Sequence, residues 1–165
     1  MKKFAELQYV RPDMEKIFAR VSGDIVVLKE AKNYEEFRNA YMDYVEADTE
    51  LETSKTIAHV RNTINLLDEF YEAEMVYFNS QMPKYEILKK EMGEVIVASP
   101  FKAEMEKEFG AILIQNMEAQ KQLSDESIVD DQVKEAELVS RFMKTQAAAT
   151  VEFKGEQIGN YGLLK

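Results

Sequence analysis

Apolar residues recur at intervals of three and four positions along most of the chain, the spacing of one face of an α-helix. The first such run follows Pro12, which suits a first helical turn because the N–H that it lacks would be unpaired there. Gly23 lies within the run and predicts a weakened or bent stretch. The apolar positions of this first helix are Met14, Ile17, Phe18, Val21, Ile25 and Leu28.

A second helix is predicted to begin at Asn33, because an Asn N-cap followed by Glu36 three residues later has the form of a capping box. Its apolar pattern continues to about Leu66, either as one long helix or as two helices joined near Thr53. A third helix starts near Asp68. Pro83 predicts the end of that helix and the start of a fourth, since proline cannot donate an intrahelical hydrogen bond.

Ser99-Pro100 is predicted to cap and open a fifth helix, which continues through Gly110 to about Met117. A polar break at residues 124–127 separates it from a last helix over about 128–147, with Ser127 as its cap.

The C-terminal segment changes pattern, because residues 150–153 alternate in polarity and residues 154–156 are typical of a turn. We therefore predict an all-α fold of about six helices in an antiparallel, bundle-like array with a short C-terminal β-hairpin or extended arm. Residues 1–165 are expected to form one helical domain, with residues 148–165 as the extended tail.

The chain has 165 residues, no cysteine and a formal net charge of −10. The acidic surface disfavours binding to nucleic acids and to anionic membranes. The start of the chain, Met1–Glu6, lacks the apolar core of a signal peptide. No segment reaches the roughly 20 apolar residues of a membrane helix. A cytoplasmic location is expected.

His59 is the only histidine, and its surroundings fit neither of two common metal motifs. In an HExxH zinc site, Val60 would have to be a glutamate and Thr63 a second histidine. In a di-iron bundle, Thr56 would have to be a glutamate, and a second Glu-x-x-His motif would be needed. We predict a histidine without a catalytic role.

The acidic run Asp68–Glu74 invites comparison with a metal site or an acid–base pair. Helical spacing instead places Asp68 and Glu72 together on one face and Glu74 on the apolar side. A buried glutamate requires a partner, and Arg61 is a candidate. The sequence thus predicts a solvated helix start with one structural ion pair, and assigns no residue to catalysis, to a cofactor or to a metal.

Five segments in order along the chain resemble enzymes of the oligoendopeptidase F type, in the M3 family of zinc metallopeptidases. They are Phe4–Glu15, Asp68–Glu74 with Tyr77, Phe78 and Pro83, Ser99–Phe101, Glu106–Gly110 and Val151–Gly155. The resemblance implies an N-terminal helical region that forms part of the wall of a substrate channel. It also implies that the zinc ligands lie in a later part of the parent enzyme, which would hydrolyse short peptides with zinc-activated water.

Two functions follow as expectations. The chain is an N-terminal domain of a zinc oligoendopeptidase, without cofactor and inactive by itself, or it is a stand-alone helical interaction module. In the first case its partner is the catalytic portion of the same enzyme or a second copy of itself, and peptides are bound only by the complete enzyme. The apolar residues expected to face that partner are Val151, Phe153, Ile158, Tyr161, Leu163 and Leu164.

Overall fold

The computed structural model describes residues 3–120 and 128–159, and these form helices followed by a small hairpin. The elements are a 3₁₀ turn at Phe4–Glu6, α1 (Met14–Glu30), α2 (Tyr34–Ile64), α3 (Glu69–Ala98), α4 (Lys102–Phe109), α5 (Ala111–Gln120), α6 (Val129–Ala148), β1 (Thr150–Phe153) and β2 (Glu156–Gly159). The prediction of an all-α fold of about six helices with a C-terminal hairpin is confirmed.

The first two helices are capped by side chains. Asp13 caps α1 by accepting the N–H of Lys16 at 3.2 Å, so that Pro12 lies just before the helix rather than in its first turn. Asn33 caps α2 as predicted, accepting the N–H of Glu36 at 2.9 Å. α2 is one continuous helix of 31 residues, without a joint at Thr53.

The predicted helix end at Pro83 is wrong, because α3 continues through this proline to Ala98. A proline removes one intrahelical hydrogen bond. Most helical stability in proteins comes from packing of the apolar face, however, and that face is buried on both sides of the proline, at Phe78 and Tyr85. Tertiary packing therefore keeps α3 continuous at Pro83, where the local sequence predicts a helix boundary.

The predicted fifth helix also differs from the structure. Ser99 ends α3, where its hydroxyl donates to the carbonyl of Ile96, and α4 begins only at Lys102. Gly110 has a φ of +95° and a ψ of 150°, a conformation that is essentially restricted to glycine, and it divides the predicted helix into α4 and α5. The number of helices remains six because one predicted break is absent and one unpredicted break is present.

The core lies among α1, α2 and α3, which pack against one another, while α5 closes it from the side of α3 and α4. Its largest fully buried side chains are Tyr85, Phe37, Phe78, Leu51 and Met92. The hydroxyl of Tyr85 remains satisfied, because it donates to Asp48 at 3.0 Å.

The C-terminal elements extend from this core. α6 packs on α3, and none of its 20 residues, all of which the structure describes, is buried. β1 and β2 form an antiparallel pair in which Val151 lies opposite Ile158. Lys154 and Gly155 both have positive φ, as the two-residue turn of a tight hairpin requires. The predicted polar break and cap at 124–127 and the tail beyond residue 159 lie outside the described residues.

Candidate functional site

Glu74 is the one buried charged residue of the described chain, with a relative exposure of 1%. Its carboxylate accepts the Arg11 Nε–H at 2.9 Å and 3.0 Å, a second hydrogen bond from Arg11 Nη2 and one from the Tyr9 hydroxyl. The hydrogen bonds from Arg11 keep the pKa of Glu74 below its ordinary value. Burial and the adjacent carboxylate raise the pKa of Tyr9. The predicted structural pair exists, but its arginine is Arg11 and not Arg61.

Arg61, near the end of α2, binds other groups instead. Its guanidinium donates to the Tyr71 hydroxyl and to the backbone carbonyl of Leu7. The Tyr77 hydroxyl donates to the carbonyl of Pro12 at 2.9 Å. Together with the Glu74 cluster, these bonds fasten the extended segment Leu7–Pro12 across α2 and α3. The polar groups around Glu74 are thus satisfied within the chain and have a structural role.

Two other acidic residues of the run, Asp68 and Glu72, also have structural roles. Asp68 is the N-cap of α3 and accepts the N–H groups of Phe70 and Tyr71. Glu72 forms an ion pair with Lys144 of α6 at 2.6 Å. Within residues 3–120 and 128–159, no group of three or more His, Cys, Asp or Glu side chains is arranged to hold a metal ion.

His59 is exposed on α2 and lies in the wall of a groove between α2, α3 and α6. The cavity has a volume of about 770 Å³, a size common among small-molecule and cofactor pockets. α2 contributes His59, the turn after α2 contributes Leu66, and α3 contributes Met75 and Val76. From α6, Ala136, Val139 and Met143 face the groove at the helical spacing of three and four residues.

Polar residues at the groove are partly paired with each other. Lys144 pairs with Glu72, and the Asn79 amide donates to the Ser140 hydroxyl at 3.2 Å. Both contacts join α3 to α6 beside the groove. The arrangement is suited to receiving apolar side chains. Sequence reasoning missed it because its walls come from segments about 70 residues apart, and the amphipathic pattern of α6 was its only local signal.

No helix among residues 3–120 and 128–159 is both long enough and apolar enough to cross a membrane. Comparison with curated proteins gives no significant match.

Three solved structures are similar to the chain. PZ peptidase A, in complex with an inhibitor, is 31% identical with a TM-score of 0.91, and the match covers 94% of this chain and 28% of that one. A protein described as oligoendopeptidase F is 30% identical with a TM-score of 0.91, covering 96% of this chain and 28% of its own. Another such protein, from Bacillus anthracis, shares the fold at 23% identity with a TM-score of 0.91, covering 95% of this chain and 29% of its own.

The chain therefore spans less than a third of the length of each of these relatives. Its sequence also matches, over residues 4–124, the family described as the Peptidase M3 N-terminal domain. This match includes the extended segment Leu7–Pro12 before α1 and all of the core helices α1–α5. The chain belongs to the Peptidase M3 N-terminal domain family.

Proposed function

We propose that the chain is the N-terminal wall of the substrate channel in a zinc-dependent oligoendopeptidase that hydrolyses short peptides, and that it does not hydrolyse peptides by itself. The observation that carries the proposal is the likeness to two solved peptidases at 30% and 31% identity, which extends over nearly the whole chain. The match to the M3 N-terminal family supports it independently of the three-dimensional comparison.

The zinc ion of such an enzyme does not fit the residues of this chain. Zinc sites in proteins use three or four ligands, mostly imidazole or thiolate. The chain has a single histidine and no cysteine, and Glu72, which lines the same groove as His59, is already paired with Lys144. The metal would be held by the remainder of the enzyme, so no catalytic step is assigned to this chain.

Reading the gene on the 3′ side of the codon for Lys165 tests the proposal directly. An HExxH motif in the same reading frame is the expected result. A stop codon with no such motif would favour the alternative of a stand-alone interaction module.

Peptide hydrolysis provides the functional test. A fluorogenic peptide is incubated with the chain, with the separately produced catalytic portion of the same enzyme and with the mixture, each with and without a zinc chelator. We expect hydrolysis, sensitive to the chelator, in the mixture alone. Hydrolysis by this chain alone, or about one equivalent of zinc bound to it after dialysis, would contradict the proposal.

A further inference from the structure

Helix α6 packs on α3 but leaves several apolar residues exposed. Leu138, Val139 and Phe142 are each more than half exposed. On α3, Val76 in the facing wall of the groove is exposed to a similar extent. Val139 and Val76 line the same groove, and exposed apolar patches of this kind mark interaction sites.

The hairpin that follows α6 also has exposed apolar residues. Val151, Phe153 and Ile158 lie on one face of it, because Val151 is opposite Ile158 and successive strand residues alternate in direction. Val151 and Phe153 are about half exposed. A two-stranded hairpin is at best marginally stable in water unless it packs on something else.

The comparison with known structures indicates what covers this surface. A match over 94% or 96% of this chain leaves too few residues unmatched to omit the 20 residues of α6. The helix therefore occupies the same position in proteins where this region is only 28% of the chain. In those proteins the rest of the polypeptide is much longer than this region and is covalently joined to it. It is therefore the partner that can cover the exposed face of α6 and the hairpin.

The polar residues of the groove are consistent with an apolar occupant. Glu72 and Lys144 neutralise each other, and Asn79 binds Ser140. These four side chains therefore do not require a charged ligand. Met75 and Met143 line the groove, and methionine adapts readily to the shape of an apolar partner.

We propose that the groove between α2, α3 and α6, continued by the exposed face of α6, is the docking surface for an apolar segment of the remaining part of an M3 peptidase chain. This inference rests on the proposed function and adds the surface through which the domain joins its enzyme. Burial of Val76, Val139 and Met143 against that segment would contribute free energy in proportion to the apolar area covered.

A chimaera tests the proposal. Residues 1–165 of this chain replace the matched segment of PZ peptidase A, and Val139→Asp is introduced both into the chimaera and into the isolated chain. We expect little change in the thermal midpoint of the isolated chain, where Val139 is 51% exposed. In the chimaera, the same charge would be buried at the interface and should lower the midpoint by several degrees.

The matched control is Val26→Asp on α1, since Val26 is 52% exposed and α1 does not line the groove. It should have equally small effects in the chimaera and in the isolated chain. Equal effects of Val139→Asp in the two proteins would overturn the docking surface. A chimaera that shows the difference but hydrolyses no peptide would instead count against the proposed function.

If the chimaera does not fold, a second measurement tests the same proposal. A photo-crosslinking amino acid is placed at position 139 or 26 of the isolated chain, which is then mixed with PZ peptidase A lacking its matched segment. Crosslinks from position 139 and none from position 26 are expected. The absence of crosslinks from position 139, or equal yields from both positions, would overturn the proposal.

Discussion

At the residue scale, two carboxylates in similar helical settings differ in their partners. Glu74 is fully buried but accepts hydrogen bonds from Arg11 and Tyr9. Asp24, within α1, has one buried oxygen without a hydrogen-bond partner. Burial and the nearby charge of Asp43 raise the pKa of Asp24. The ionised carboxylate of Glu74 therefore stabilises the fold, whereas that of Asp24 destabilises it.

Replacing Glu74 by Gln should lower the free energy of unfolding at pH 7 by about 2 kcal/mol, because the charge-assisted bonds from Arg11 are lost. The pKa of Glu74 is lower in the folded chain than its ordinary value of 4.5. Its contribution is therefore complete above that value and is lost as the pH falls through the folded-state pKa. Urea unfolding between pH 7 and pH 3 measures both effects.

The matched control for that change is Glu72→Gln, which removes an exposed ion pair and should cost no more than about 0.5 kcal/mol. Equal losses in the two variants would show that the Glu74 cluster does not fasten the segment before α1.

Asp24→Asn should raise the free energy of unfolding at pH 7 by about 1 kcal/mol, since a partly buried charge without a full set of partners is removed. The pKa of Asp24 is raised, so its unfavourable contribution to stability is relieved as the pH falls and Asp24 takes up a proton. The advantage of the variant should therefore shrink in acid. A stability loss at pH 7 would indicate that Arg20, the nearby cation, stabilises Asp24 more than burial opposes it.

At the element scale, two glycines in helical sequences have opposite roles. Gly23 lies inside α1 with open space around it, so a methyl group would meet no other atom within 4 Å. Gly110 ends α4 with a φ of +95°, which side-chain-bearing residues rarely adopt. The local sequence around both resembles a helix interior, and only the backbone conformation distinguishes them.

Gly23→Ala should therefore raise the free energy of unfolding by about 0.5–1 kcal/mol, the difference in helix propensity. Gly110→Ala should lower it by about 1–3 kcal/mol, because alanine is strained at that φ and ψ. Thermal unfolding of the two variants beside the wild-type chain measures this difference. A stabilising Gly110→Ala would mean that α4 and α5 merge into one helix in solution.

At the scale of the whole molecule, burial is concentrated in α1–α5, whereas α6 is attached to them through α3 and the hairpin follows α6. Local unfolding free energies follow the number of buried apolar contacts. The amide groups of α6 and of the two strands should therefore exchange hydrogen through openings of much lower free energy than those around Phe37 and Tyr85.

Native-state hydrogen exchange measures this ordering residue by residue. Docking of the remainder of the enzyme on the groove should raise the protection of α6 and of the hairpin selectively. Protection of α6 equal to that of α2 in the isolated chain would contradict the division between core and appended elements.

The sequence by itself determined the features that depend on neighbouring residues. The periodicity of apolar positions predicted the helices, Asn33 predicted the start of α2, and residues 154–156 predicted the hairpin turn, since capping and turn formation need only a few adjacent side chains. The family resemblance also came from ordered sequence segments.

Tertiary structure decided the rest. Continuation of α3 through Pro83 depends on burial of its apolar face against other helices, and the choice of Arg11 for Glu74 depends on contact across 63 positions of sequence. The groove exists only where α2, α3 and α6 meet. Such long-range contacts contribute free energies comparable to or larger than local propensities, and their geometry is set by the packing of the entire chain.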